Sequence, residues 1–406
     1  MDKYVLITGG ELFNKGAQSM TFVTVNEISK RFPDAKIVLL SSKDYLREKD
    51  EKEKYKFEIL PINSGLAFQL MGGVYKQLWN VNSIVRKKDD YSEYIPKLKM
   101  ILKNSIAMVD ISGYALSSQF GNGSSIGYLS RILLAKKYNI DVYLMPQSFG
   151  PFKYKGIERF FINHLMNKTM NYPKVIYARE SEGYDLLKND LNLSKVKKTY
   201  DLVLMNKGIN LNNIYREVPV VSNYDGIDGV AIVPNMKNFR HGNKLKVLSM
   251  YDAIIKKLTD AGKKIYLVRH SYEDIEACEM IKERCKGNDQ VILLTDDMSC
   301  LEFDSLVKRF EFIIGSRFHS IVHAYKNAIP CIALGWATKY HELLKIFKQD
   351  RFIFDVRNDL NEHVIVEAVE VLLKQHNNEV TIINQSLKSV QREDIYNSLE
   401  GSKLEK

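Results

Sequence analysis

Arg317 and His319 stand two residues apart, just after the pair Gly315-Ser316. A guanidinium is a planar fork that matches a carboxylate or a phosphate. An imidazole changes charge near neutral pH. Together they fit an anionic small molecule and a proton transfer. The run from Glu311 to Ile314 is short and largely apolar, and Gly315-Ser316 marks a turn. Ile321, Val322, Tyr325 and Ala328 then recur at helical spacing, and Ile329 to Leu334 is a second buried-strand run. Such a βαβ unit sets the loop after its first strand at the carboxyl edge of a parallel sheet, where ligands bind. Backbone N–H groups at the helix start attract anions there.

Other candidates occupy similar junctions. Arg179 opens ARESEGYDLL, either as a second cation of the site or as a surface partner of Glu180 or Glu182. Asn14 and Gly16 precede a helix; Asn is a common cap, and an acceptor could bind there as well. His270 ends a strand, as a phosphate ligand or as a satisfied core histidine. Lys339 would reach a donor phosphate or stay solvated. Gln147 and Ser148 lie between Pro146 and Gly150 in a loop at the expected ligand edge. His319 and His323 are four apart, but Ser320 stands where a zinc-binding HExxH helix needs Glu. Neither a P-loop nor GxSxG occurs, and Gly9-Gly10 is not extended into GxGxxG. The Gly- and Ser-rich run Gly113 to Gly127 reads as a flexible loop.

The elements that must position these groups alternate throughout. In the first half, strands are expected at Tyr4–Thr8, Ala35–Leu40, Phe57–Leu60, Ala107–Ile111, Val142–Pro146, Val175–Ala178 and Lys198–Leu202. Helices are expected at Gly16–Phe32, Gly127–Lys137, Gly156–Lys168 and Ser181–Asp190. Asn206 to Asp228 breaks the pattern and reads as a linker. Strands Val230–Pro234, Lys264–Arg269 and Val291–Leu294 follow, with helices Lys244–Ala261, Asp274–Cys285 and Cys300–Phe310 between them. Beyond the Arg317 unit come helix Tyr340–Phe347, two terminal helices (Asn361–Lys374 and Glu379–Tyr396) and ten polar, frayed residues. The layout is α/β: two Rossmann-like doubly wound domains facing across a cleft. The divisions are 1–205 (acceptor side), linker 206–228, 229–375 (donor side), and a C-terminal helix and polar tail at 376–406.

At 406 residues the chain is too long for one compact domain. Its 45% hydrophobic and 27% charged content is that of an ordinary globular protein. Cys278, Cys285, Cys300 and Cys331 show no CxxC spacing and read as reduced thiols of a cytoplasmic protein. No leader precedes the strand Lys3 to Thr8, and no uncharged apolar stretch reaches the roughly 18 residues of a membrane span. Ile59 to Trp79 comes nearest. Pro61, Asn63, Gly65, Gly72, Gly73 and Lys76 interrupt it, so it reads as a surface loop; the alternative is an apolar face that touches a membrane, as a peripheral contact, or a lipid-linked substrate. The net charge of +10 fits either a Lys-rich chain kept in solution by its charge or attraction to phosphates or anionic membrane surfaces. Nucleic acid is not an expected partner, because basic and acidic residues interleave, as from Arg47 to Lys56.

Read in order, GGELFNKGAQSM (Gly9 to Met20), DISGYAL (Asp110 to Leu116), MPQSFGPF (Met145 to Phe152), ARESEGYDLL (Ala178 to Leu187), Asp201 in KTYDLVL, VRHSYED (Val268 to Asp274), GSRFHSIVHA (Gly315 to Ala324) and IPCIALGWATK (Ile329 to Lys339) form one string. That string resembles the polysaccharide pyruvyl transferase family over most of the chain. The resemblance implies a GT-B-like fold and transfer of a pyruvyl group from phosphoenolpyruvate to a sugar, usually as a cyclic ketal. It implies that Arg317 and His319 bind the donor and that Arg179 belongs to the same site. Ser112-Gly113-Tyr114 and Trp336 depart from the usual family residues, which points to an altered acceptor pocket.

The expected activity is therefore pyruvyl transfer from phosphoenolpyruvate to a surface polysaccharide or its lipid-linked precursor, in the cytoplasm or at the cytoplasmic face of the membrane. His319 would protonate the donor methylene, and neither metal nor cofactor is required. Two other readings stand beside it. One is a GT-B glycosyltransferase using a nucleotide-sugar, with Glu342 as the carboxylate for the ribose. The other is a non-catalytic glycan-binding protein of the same fold.

Overall fold

The computed structural model describes residues 2–74, 77, 90–357 and 361–400. Seven parallel strands form the first sheet: β1 (Lys3–Thr8), β2 (Ala35–Ser41), β3 (Glu58–Pro61), β4 (Ser105–Asp110), β5 (Asp141–Gln147), β6 (Val175–Ala178) and β7 (Val196–Lys198). Their order is β3-β2-β1-β4-β5-β6-β7. Six parallel strands form the second: β8 (Gly229–Val233), β9 (Ile265–Val268), β10 (Val291–Leu294), β11 (Phe310–Gly315), β12 (Cys331–Leu334) and β13 (Ile353–Phe354), ordered β10-β9-β8-β11-β12-β13. β5 and β8 are buried along their whole length, because helices cover both faces of each sheet.

In each sheet the strand order reverses once, between β1 and β4 and between β8 and β11. Ligand crevices open at the carboxyl ends of such switch points. Gly9 makes the first one tight. Its φ is +74°, and a Cβ there would stand 2.6 Å from the Ser112 backbone.

Helix Lys15–Arg31 leaves the end of β1 and packs on the second half. Gln18 Oε1 accepts from the Cys300 N–H at 2.7 Å, and Ser19 Oγ lies 2.9 Å from His323 Nε2. Asp304 holds the other ring nitrogen of His323 at 2.8 Å. One apolar cluster runs from β1 through the second sheet to the C-terminal segment, so the halves share a core.

Five local expectations are corrected. The stretch Lys198–Leu202 is not a strand beyond Lys198. Asp201 accepts from the Val203 N–H at 2.9 Å and caps a short helix, Leu202–Met205, a local bond that competes with strand pairing. The run Gly113–Gly127 is not all loop. A helix starts at Asn122 and runs to Lys137, and Ser124 and Ser125 bond back to the carbonyls of Ala115 and Ser117 at 3.1 and 3.3 Å. The Ile59–Trp79 stretch is not a surface loop: β3 ends at Pro61, and a helix, Ser64–Met71, follows with Leu66, Phe68 and Leu70 buried. Asn63 caps that helix by accepting from the Leu66 N–H at 2.8 Å. Beyond Val74 the stretch falls, apart from residue 77, outside the described residues.

The two terminal helices are one, Glu362–Val390. The buried Glu379 bridges its polar middle to Gln349 at 2.7 Å and Arg351 at 2.5 Å. The end is not frayed through Glu400. Ile395, Tyr396 and Leu399 are buried, and Tyr396 Oη lies 2.8 Å from Thr24 Oγ1 on the first helix. Among the described residues no helix is long and apolar enough to cross a membrane.

Candidate functional site

Two cavities meet where the carboxyl edges face each other. The larger, about 1000 Å³, takes Asn14, Tyr114 and Ser148 from the first half and His270, Arg317, His319 and Lys339 from the second. The smaller, about 530 Å³, leans into the first half along Glu11, Ser112, Arg131 and Arg179. Asn14, Tyr114, Phe318, His319 and Lys339 line both and form the seam between them.

Arg317 follows β11 and stands at the start of helix Phe318–Lys326. Its Nε donates to Asp274 Oδ2 at 2.8 Å, and its Nη2 donates to Asp274 Oδ1 at 2.6 Å and to Glu273 Oε1 at 2.5 Å. Burial works against its charge, and these carboxylates more than restore it, so its pKa is raised. Arg179, at the end of β6, is buried. Its Nη1 donates to Asp201 Oδ2 at 2.6 Å, and its Nη2 donates to Ser148 Oγ at 2.8 Å and to the Gly113 carbonyl at 2.9 Å. Phe318 places its ring 4.8 Å from this guanidinium. Both arginines therefore face the cleft already held by carboxylates.

His319 presses against Gly16, where a Cβ would fall 2.2 Å from the ring Nδ1. Its Nε2 is buried without a hydrogen bond, 3.7 Å from Asp201 Oδ2. Burial, with help from Arg179, His323 and Lys339, outweighs Asp201 and drives its pKa down to about 3. Burial also opposes ionisation of Asp201, yet His319 and Arg179 keep its pKa below the ordinary carboxylate value.

Lys339 makes no ion pair among the described residues. Its Nζ stands 5.1 Å from the Phe318 ring centroid and 5.7 Å from those of Tyr114 and Tyr340. Burial, then the nearby Arg179, lowers its pKa to about 8. His270 is 2% exposed with both ring nitrogens unpartnered, and burial pushes its pKa well below the usual value. Lys15 Nζ donates to the His270 carbonyl at 3.2 Å.

The structure thus gathers Arg317, His319, Arg179, His270, Lys339, Asn14 and Ser148 at one seam. Asn14 also caps its helix, accepting from the Gly16 N–H at 2.9 Å. Two expected substrate contacts are not brought to the cavities. Gly16 lines neither cavity and serves as the flat surface behind His319. Gln147 points into the core, where its Nε2 donates to the Met145 carbonyl at 3.1 Å. Glu342 lines neither cavity. It accepts from the Ser181 N–H at 2.9 Å and lies 3.2 Å from Lys198 Nζ, a tie between the halves.

Sequence reading missed Glu11 and the positioning role of Asp201. Glu11 follows Gly9-Gly10 at the first switch point, a placement that could have marked it. Burial raises its pKa.

Two doubly wound sheets whose carboxyl edges enclose a polar, cationic cleft define a GT-B-like enzyme. The model of the polysaccharide pyruvyl transferase family matches residues 14–338, and the chain belongs to that family as a transferase of that type. Solved structures share the fold at low identity. A UDP-GlcNAc 2-epimerase from Methanocaldococcus jannaschii has 15% identity and a TM-score of 0.53, over 92% of this chain and 93% of that one. S. aureus MnaA, solved with UDP, has 11% identity and a TM-score of 0.57, over 98% and 94%. A glycosyltransferase from Rickettsia africae has 13% identity and a TM-score of 0.53, over 99% and 100%. No curated protein sequence matches the chain.

Proposed function

We propose that the protein moves a pyruvyl group from phosphoenolpyruvate to a sugar of a surface polysaccharide or its precursor and closes it as a ketal. In this reading residues 229–375 hold the donor and residues 1–205 the acceptor. The observation that carries it is the seam itself: an unpaired lysine and a neutral histidine stand between two arginines, at the junction of two cavities. Phosphoenolpyruvate brings about three negative charges near neutral pH. Arg317, Arg179 and Lys339 answer them, with guanidinium forks for carboxylate and phosphate oxygens.

Burial keeps His319 neutral. Donor charge beside it acts in the opposite direction, so His319 takes up a proton as the donor binds and delivers it to the methylene carbon. An acceptor hydroxyl attacks the neighbouring carbon and gives up its proton to Glu11, whose raised pKa makes it the stronger base. Inorganic phosphate then leaves carrying the proton of a second hydroxyl, whose oxygen bonds to the same carbon and closes the ring. Asp201 orients Arg179 and His319 without touching substrate.

The test is phosphate release from phosphoenolpyruvate with candidate glycans. Arg317→Ala and His319→Ala should each abolish it while circular dichroism stays unchanged. Turnover retained in both would end this reading. The nucleotide-sugar alternative relied on Glu342, which the tie to Ser181 and Lys198 occupies. Binding of uridine or guanosine nucleotides without any response to phosphoenolpyruvate would revive it.

A further inference from the structure

The loop that walls the cleft also carries an apolar, basic knob. After β5 the chain runs along the larger cavity through Ser148, Phe149, Pro151 and Lys153. It then turns outward, and Ile157 is 86% exposed and Phe160 65% exposed. Phe120, 46% exposed, stands on the adjacent turn. That turn is tied to the loop: the Ser118 N–H donates to the Pro151 carbonyl at 2.9 Å, and the Lys153 N–H donates to Ser118 Oγ at 3.2 Å. Lys153, Lys155 and Arg159 are exposed between these apolar side chains, and Arg159 lies 4.7 Å from the Phe160 ring centroid. Glu158 is the only carboxylate from Lys153 to Phe160, and it bonds to Asn122.

Single exposed apolar residues are common on any surface. Three on tied segments, interleaved with cations, add nothing to the core. At a lipid interface the same arrangement is stabilising. Aliphatic and aromatic side chains enter the headgroup layer, and each Lys or Arg is drawn to anionic lipid.

We propose that residues 153–160 and Phe120 dock the protein on an anionic bilayer surface and hold the mouth of the cleft beside it. Charge favours this occupant over a second copy of the chain. A two-fold dimer through the knob would press Lys153, Lys155 and Arg159 against their own copies, and the net charge of +10 adds to that repulsion. Delivery of a lipid-borne acceptor, the use of such docking, rests on the transferase reading; the docking itself does not.

The test is co-sedimentation of the full chain with vesicles of phosphatidylglycerol and phosphatidylcholine, against phosphatidylcholine alone. The wild type should bind the mixed vesicles only, and less as salt rises. Ile157→Ser with Phe160→Ser should lower partitioning by about tenfold or more. Lys155→Ala and Arg159→Ala should each lower it by about fivefold. All these variants should keep the wild-type unfolding midpoint and phosphate release with a water-soluble acceptor. A wild type that ignores both vesicles, or variants that bind like it, overturns the proposal. So does a wild-type dimer in ultracentrifugation that the double variant converts to monomer. Absent phosphate release alongside retained vesicle binding would sink the transferase reading and leave the docking standing.

Discussion

Lys339 and His319 divide the proton chemistry by environment. Lys339, at about 8, carries its charge at neutral pH and loses it as pH rises through that value. The kcat/KM profile should therefore fall on its alkaline side near pH 8, and Lys339→Arg should move that limb upward, because guanidinium does not titrate there. His319, held at about 3 by burial, is neutral from mildly acidic pH upward. Donor binding should then draw in a proton, visible when calorimetry is repeated in buffers of different ionisation heat. His319→Asn should bind phosphoenolpyruvate without that uptake. Asp201 is the third participant. Asp201→Ala would leave the buried Arg179 guanidinium with only the Glu180 carboxylate, 3.6 Å from its Nε, and should cost about 3 kcal/mol in urea unfolding.

Helix Lys15–Arg31 sets how closely the two halves meet at the site. Gly16→Ala would push the His319 ring aside, and a displacement near 1 Å can cost about a hundredfold in turnover. The variant should lose phosphate release and keep its helical signal, with donor affinity changed less than kcat. The Arg317–His319 unit was legible because turn residues and helical periodicity sit side by side in the sequence. The strands were legible because buried parallel strands are continuous apolar runs. Asp201 was not, since its strand-like neighbours hid a cap made by its own side chain. The helix at Ser64–Met71 was hidden because the glycines around it and its Asn cap outweighed five buried apolar residues. The pairing of both arginines with carboxylates was invisible too: Asp274 and Asp201 lie 43 and 22 positions from their partners. Only the folded sheet edges bring them together.

The molecule as a whole is bound by a common core and by a chain that comes back. Arg31 Nη2 meets Asp394 Oδ2 at 2.5 Å and Thr199 Oγ1 donates to Glu393 Oε2 at 2.6 Å, on the first half. Tyr396→Phe should remove the bond to Thr24 and cost about 1 kcal/mol, and heat should unfold both halves in a single transition. A chain that begins in the first half, crosses between Arg216, which donates to the Lys54 carbonyl at 2.9 Å, and Ser222, whose carbonyl accepts from Ser305 at 2.8 Å, and returns at 391–394 hangs the second half on two pins. A door on two pins swings about one line. Any widening of the cleft about the axis joining those crossings would first have to part the Gln18–Cys300 and Glu342–Ser181 bonds across the seam.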